Sequence, residues 1–543
     1  MSKAPSVALL VGAVLLGVAC GIAAQPRSPS SPAMEKGEPV YGGVFKQRHD
    51  EDVEDWDMAS TGQSYSEYSE RVYERPVRFK AGPGIGYYEQ TLEPRLAERW
   101  EVSPDATTFT FHLRKGVKFA NLPPVNGREL TSADVKFSYE YLGRVGEFKG
   151  LKASTVGFMY EGIEAIDTPD RYTVAVRFKV PFAPFINYAG SIYNPIMPRE
   201  IYDADGHFKD RAVGTGPFQL DKAASQKNAR WVFKKNQAYW DTGKPYLDEV
   251  QHLVINDEGT SNAAFQTKQV DSRRVVPDPI QAAELARVPG VISFEFPASF
   301  VHAYMQNERP PFNDERVRKA FSMALNRDEF IKLMAGGKGQ WVLTGDRFGL
   351  FTEAETKQIL RYDPTEAKRL LAEAGYSQGV QVPYLLSIEN QQQVTWFELM
   401  QSQLKQVGIN LVAERVTQAE WSRRPKDGAD FVLRVSGKKG QADIDGDLFG
   451  LFHSSQPGIN YGRVKDPKVD QLTLAQRREP DPVKRRALVR EAIKYINERA
   501  FATALYKPVN WAFWHGYVKD YHLNYGIGNG NQSDLLSVWL DAR

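Results

Sequence analysis

The chain has 543 residues, enough for two to four domains with well-filled cores. Its 69 Lys plus Arg are balanced by 67 Asp plus Glu, and a formal charge of +2 gives no electrostatic drive toward nucleic acid or an anionic membrane surface. The single cysteine, Cys20, falls inside an N-terminal apolar run, which excludes disulfides, Cys-ligated zinc and cysteine nucleophiles from everything after it.

Met1-Ser2-Lys3 precedes an uncharged run from Val7 to Ala24, followed by a Pro/Ser-rich stretch from Gln25 to Pro32. A cationic start, a short apolar core and small residues at its end predict a secretory signal peptide over 1–24. Gly12, Gly17 and Gly21 weaken the run as a permanent span, so a retained signal anchor is the alternative. The segment Leu16-Gly17-Val18-Ala19-Cys20-Gly21 resembles a bacterial lipoprotein box, with Gly17 where leucine is usual and Leu16 displaced by one. It implies lipidation at Cys20; the rival is cleavage near Ala23 or Ala24 and release of a soluble protein. Residues 25–40 lack any apolar period and read as a flexible tether.

The folded part begins at Tyr41. Strand-like alternation marks Arg99–Val102, Thr108–Leu113, Tyr172–Phe178 and Trp231–Phe233. Helical patterns cover Ser132–Leu142 with Thr131 and Asp134 as capping residues, Thr365–Ala374 after Asp363-Pro364, Trp396–Val407 and Pro482–Arg499. With the strand-like stretches Val380–Leu386 and Ile409–Arg415, the middle two helices give a βαβ rhythm and a partly parallel sheet, so the fold class is α/β. Ligands of such sheets sit beyond the carboxyl ends of strands, often between lobes, which predicts a cleft.

No His-Glu-x-x-His, Gly-x-Ser-x-Gly, P-loop or strand-bounded Gly-x-Gly-x-x-Gly occurs. Gly82-Pro83-Gly84-Ile85-Gly86 and Gly526-Ile527-Gly528-Asn529-Gly530 read as turns, and the eight histidines form no i, i+4 pair. Neither a catalytic residue, a metal site nor a cofactor is expected. Asp443-Ile444-Asp445-Gly446-Asp447 opens like an EF-hand loop, but its twelfth position is Ser454 and not Glu, which argues against calcium. Two readings stand for it: ordinary Asp/Gly turn chemistry, or a carboxylate held in a cleft against a cationic ligand group.

A series of blocks closely resembles the family 5 extracellular solute-binding proteins, the group that includes dipeptide and oligopeptide receptors of bacterial ABC importers. They begin with Leu96–Asp105, Leu113-Arg114-Lys115-Gly116-Val117-Lys118-Phe119 and Leu130–Val135, then Gly214-Thr215-Gly216-Pro217-Phe218 and Pro245–Val250. Pro310–Ala320, Tyr362-Asp363-Pro364, Ala374-Gly375-Tyr376 and Asp466–Asp470 follow in the family's order. The resemblance implies a two-lobe periplasmic-binding-protein type II fold with an extra subdomain in the N-terminal lobe. Its expected parts are 41–62, 186–299 and 506–543 for lobe I, 63–185 for the subdomain, and 300–505 for lobe II, with hinge crossings near Phe300 and Leu505. It also implies a binding component of an ABC importer, anchored to the membrane by lipid, monomeric, and working with a permease and an ATPase on a peptide or similar small solute. Asp443 falls at the position that receives a peptide's amino terminus, although the approach from Arg434 is longer than usual and lacks the family's Trp. Trp421 would stack on ligand, Arg434 would pair an anionic group, and Tyr506 would hydrogen-bond near the hinge. Competing readings are a ligand sensor or binding module on the same fold, and a hydrolase.

Overall fold

The computed structural model describes residues 29–30, 37–50, 52–53, 55–61, 66–275, 278–425, 428–437, 442–456, 459–525 and 535–541. The 1–24 segment with Cys20, most of 25–40 and the 526–530 turn lie outside the described residues.

The largest sheet is organised by one long strand, Ala502–His515, whose side chains are almost all buried, as befits a strand covered on both faces. Its first residues pair antiparallel with Val301–Met305, and its later residues pair with Ser272–Val275 and Val291–Pro297. On one side the sheet continues through Leu433–Gly437, Val380–Ser387 and Ile409–Val416; on the other it continues through Val44–His49, Glu249–Val254, Arg230–Lys235 and Phe218–Leu220. Val380–Ser387 and Ile409–Val416 run parallel in register from Val380↔Ile409 to Ser387↔Val416, as the βαβ rhythm requires. The connecting helix, Gln391–Lys405, starts five residues before the expected Trp396, because the Asn390 side chain accepts the Gln393 N–H at 3.2 Å and caps a turn that apolar periodicity does not reveal. Residues 298–300 link Val291–Pro297 to Val301–Met305, and both of these pair with the same long strand. The two lobes thus share one backbone ribbon.

A second sheet of four antiparallel strands, in the order Ala97–Val102, Thr108–Leu113, Thr173–Phe178, Ile163–Asp170, forms within the first half of the chain. Phe109, Phe111 and Leu113 alternate inward, and Phe109 meets Phe178 and Phe185 edge-on at 5.8 and 4.9 Å. Helix Ser132–Gly143 lies against these strands; at its start the Asp134 carboxylate accepts the Thr131 N–H at 2.8 Å. The Gly214-Thr215-Gly216 block has a steric cause. A Cβ at Gly214 or Gly216 would sit 2.1 or 2.6 Å from the Val72 carbonyl oxygen, which instead accepts the Gly216 N–H at 2.8 Å.

Helix Ser66–Val72 meets the first lobe's sheet through an aromatic and imidazole stack. The fully buried His252 lies parallel to His49 at 4.3 Å, tilts against Tyr68 at 4.9 Å, and accepts from Arg71 Nε at 3.4 Å. Burial, helped by the nearby His49 and Arg71, holds its pKa well below the ordinary histidine value. The unfolded chain therefore binds the proton more readily, and stability falls as pH drops below about 6.5, by up to about 1.4 kcal/mol per pH unit for one proton. Urea midpoints measured between pH 7 and pH 5 are expected to fall less steeply for His252→Gln than for the parent; equal slopes would remove His252 from the acid response.

Candidate functional site

The Asp443–Asp447 group is not a turn. Helix Asp445–Phe452 begins inside it, and all eight helix residues are buried because Leu448, Phe449, Leu451 and Phe452 embed it in the core. A carboxylate carried into such surroundings needs a cationic partner. Each of the three aspartates has one. Asp443 pairs with Arg485 of helix Pro482–Glu498, Asp445 with Arg477 at the end of helix Pro467–Arg478, and Asp447 with Arg347. The Arg347 pair is bidentate, Nε to Oδ2 at 2.6 Å and Nη2 to Oδ1 at 2.8 Å. Arg477 also lies 3.5 Å over the Phe449 ring. Burial opposes ionisation of Asp445, yet the charge and hydrogen bonds of Arg477, with that of Tyr188, hold it below the usual carboxylate range.

The same aspartates receive donors from the first half of the chain. Asn187 Nδ2 donates to Asp443 Oδ2 at 2.7 Å, and Tyr188 Oη donates to Asp445 Oδ2 at 2.8 Å. Gln90 Nε2 donates to the Ala442 carbonyl, and Ala183 N–H donates to the Arg477 carbonyl at 2.9 Å. These contacts join residues 90–188 to residues 442–477. Neither oxygen of Asp443 is idle: Oδ2 accepts from Asn187 and Arg485 Nη1, and Oδ1 accepts from Arg485 Nη2 and the Asp445 N–H.

Arg434 presents the opposite situation. It is paired across the sheet with Tyr304, its guanidinium lies 3.8 Å over the Trp421 ring, and it is only 5% exposed. Among the described residues no ion pair to a carboxylate within 4.0 Å is formed by it, and its Nε has no hydrogen-bond partner. The side chain is neither at the surface nor in an ion pair among the described residues. Burial pushes its pKa down to about 10, and the nearby Tyr304, Tyr461 and Tyr384 hydroxyls only partly counter this. Trp421 Nε1 and Ser387 Oγ are likewise buried without a partner among the described residues. Trp421, Tyr304, Phe431 and Leu385 form one cluster, and Ser387 shares the strand face of Leu385.

Tyr506 is brought together with neither group. It is fully buried on the long strand, stacks on Phe330 at 6.1 Å, and accepts from Trp396 Nε1 at 3.1 Å. The next residue, Lys507, is buried too; it donates to the Arg347 carbonyl at 2.7 Å and ties the strand to the residue that pairs Asp447. Among the described residues no group of three His, Cys, Asp or Glu is placed to hold a metal ion.

The matched and unmatched charges predict opposite responses. Asp443→Asn strips the buried Arg485 of its counter-charge and is expected to cost about 3–5 kcal/mol. Arg434→Met removes a guanidinium whose folded-state pKa lies below the ordinary arginine value, so that at pH 7 its charge opposes folding; a gain of about 1–3 kcal/mol is expected. Urea denaturation of both variants at pH 7 checks the pair, and a larger loss for Arg434→Met than for Asp443→Asn would refute the assignment.

Comparison with known proteins agrees with this architecture. The pattern of the bacterial extracellular solute-binding proteins, family 5 (middle), matches residues 91–458. The dipeptide-binding protein of Escherichia coli (strain K12) is 28% identical over 496 residues, which cover 85% of this chain and 89% of that one. Heme-binding protein A of Haemophilus influenzae is 27% identical over 437 residues, 76% of this chain and 77% of the relative. Among solved structures, the ABC transporter-associated periplasmic binding protein DppA from Helicobacter pylori, in complex with the peptide STSA, superposes with a TM-score of 0.77 at 25% identity, over 93% of this chain and 99% of its own. The two-lobe arrangement, the shared strand and a family pattern spanning more than half of the sequence lead to one conclusion: the chain belongs to the family 5 bacterial extracellular solute-binding proteins.

Proposed function

We propose that this chain is the extracytoplasmic binding component of an ABC importer, and that it captures a peptide or similar small solute by closing two lobes over it. The observation that carries this reading is the seam, where Asn187 and Tyr188 of one lobe reach buried aspartates of the other. A ligand touching both lobes binds the closed state better and so favours closure. Residues 298–300 and the long strand around Tyr506 are the crossings about which the lobes would turn, with 63–185 as the subdomain added to the first lobe. Arg434 and Trp421 would form the contact surface on the second lobe. Asp443 would serve at the seam beside it, and Tyr506 would stiffen the shared strand. The protein acts as a receptor that returns its ligand intact to a permease and ATPase, not as a hydrolase.

The dipeptide-binding relative and the peptide complex make short peptides the first ligands to try, and the heme-binding relative argues for a wider panel. A bound ligand at one hundred times its Kd should stabilise the protein by about 2.7 kcal/mol, seen as a melting temperature that climbs with ligand excess. No shift from a peptide library together with sugars and metal chelates would count against solute capture.

Residues 1–24 would direct export, and Cys20 would carry the lipid that holds the protein at the outer face of the membrane, with 25–40 as its tether. Cys20→Ser is expected to move the protein from the membrane fraction of its native cell to the soluble one and to abolish labelling by a fatty-acid probe. Unchanged fractionation and labelling would exclude the anchor.

A further inference from the structure

The charges around the seam do not balance, and the direction of the imbalance restricts the ligand. Every carboxylate of the Asp443–Asp447 group is already neutralised from within the second lobe. The oxygens of Asp443 accept from Arg485, Asn187 and the Asp445 N–H. Those of Asp445 accept from Arg477, Gln476 and Tyr188. Asp447 is clamped by Arg347. The neighbouring buried Asp346 accepts the N–H groups of Leu350 and Phe351 at 2.7 and 3.1 Å. A carboxylate offers about four acceptor positions, so Asp443 has none left for an incoming ammonium group unless a buried arginine is displaced. Such displacement would leave that arginine unpaired, which is the costly way to break a buried ion pair.

Arg434 provides the complement. Among the described residues it is a buried guanidinium with no carboxylate within 4.0 Å; Ser387 lies on its face of the sheet and Trp421, from helix Gln418–Arg423, lies against it, and Trp421 Nε1 and Ser387 Oγ are buried without partners. Arg434 Nε and Trp421 Nε1 can only donate, while the Ser387 hydroxyl can donate or accept, and His302 lies on the same strand face 4.0 Å from Tyr304. Tyr304, Phe431 and Tyr461 supply aromatic walls around the same guanidinium, suited to an apolar or acylated body.

We infer that the ligand is an organic carboxylate without a free ammonium group, such as an N-acylated peptide or another organic acid, with its oxygens on Arg434 and no cationic group directed at Asp443. The inference rests on the reading of the protein as a solute receptor and narrows it to one class. A guanidinium fork matches a carboxylate in a bidentate manner, and with Asp443, Asp445 and Asp447 already paired to arginines, a monoanion neutralises Arg434 without drawing on them. A zwitterion would bring a positive charge with no counter-charge waiting for it.

The test uses the full chain and three forms of one dipeptide: Ala-Phe, N-acetyl-Ala-Phe and Ala-Phe amide, compared by isothermal titration and thermal shift. N-acetyl-Ala-Phe is expected to bind at least as tightly as Ala-Phe, the amide at least tenfold more weakly than either, and Arg434→Gln is expected to weaken the acetylated form tenfold or more. A loss of tenfold or more on N-acetylation overturns the inference while leaving solute capture intact. Should none of the three forms bind, small molecules extracted from protein purified out of its native cell decide by mass spectrometry. A carboxylate lacking a primary ammonium supports the inference, and a ligand carrying one overturns it. No ligand by either route defeats the receptor reading, and the inference with it.

Discussion

Three buried aspartate–arginine pairs, Asp443–Arg485, Asp445–Arg477 and Asp447–Arg347, set the constraint on which the rest of this structure depends. Buried ion pairs contribute little net stability, because desolvation cancels most of the Coulombic attraction; their consequence is that neither partner can be withdrawn cheaply. Helix Asp445–Phe452 is pinned by its first turn to helices Pro467–Arg478 and Pro482–Glu498 and to the loop carrying Arg347. Four separate stretches of the second lobe are thus held in fixed relation around one buried polar layer.

This arrangement bears on how the lobes could part. On the proposed division all three ion pairs lie within the second lobe, whereas most of what reaches them from residues 90–188 is neutral: the Asn187 amide, the Tyr188 hydroxyl, the Gln90 amide. Separation would leave every aspartate with its arginine and would exchange only hydrogen bonds for water, a trade whose net cost is of order 1.5–3 kcal/mol for each bond to a charged group. Two charged pairs among the described residues join the lobes so divided, Arg477–Glu161 and Lys338–Glu295, and each has its glutamate nearly half exposed and is correspondingly weak. A seam built with its charges matched inside one lobe can close and reopen. Had the pairs been divided between lobes, opening would strand buried charges on both sides.

Much of this scaffold was legible in the sequence. The alternation in Thr108–Leu113, the capping chemistry at Thr131 and Asp363, and the parallel pair Val380–Ser387 and Ile409–Val416 follow from local rules that the structure obeys. The partners of the site were not legible. Arg485 and Arg477 sit in helices whose charged residues read as solvated surface, and Arg347 lies in a stretch without periodicity. Which charge turns inward is decided by packing between elements distant in sequence, and spacing carries no trace of it. A usable signal did exist. Three aspartates at alternate positions beside Ile444, Leu448 and Phe449 cannot be buried without three counter-charges, so the apolar context of Asp443–Asp447 implied arginines from elsewhere. Arg434 was found by resemblance alone, and its lack of a partner emerges only in three dimensions.

On the proposed reading, that lack of a partner is what fits Arg434 to a ligand. Among the described residues the buried Arg327 and Arg318 also lack a carboxylate, but they donate to backbone carbonyls and hydroxyls, whereas Arg434 Nε has no acceptor and its charge opposes folding. A group held at a cost to folding is what a binding site requires, because the free energy withheld in the free protein is recovered when a ligand brings the missing charge. Trp421 makes the arrangement tenable: its ring face steadies the guanidinium with a partial negative charge that neutralises nothing. An aspartate in its place would satisfy Arg434 and abolish its attraction for an anion. On the proposed reading, the contrast between Arg434 and its three paired counterparts separates residues that hold this protein together from one that would hold a ligand.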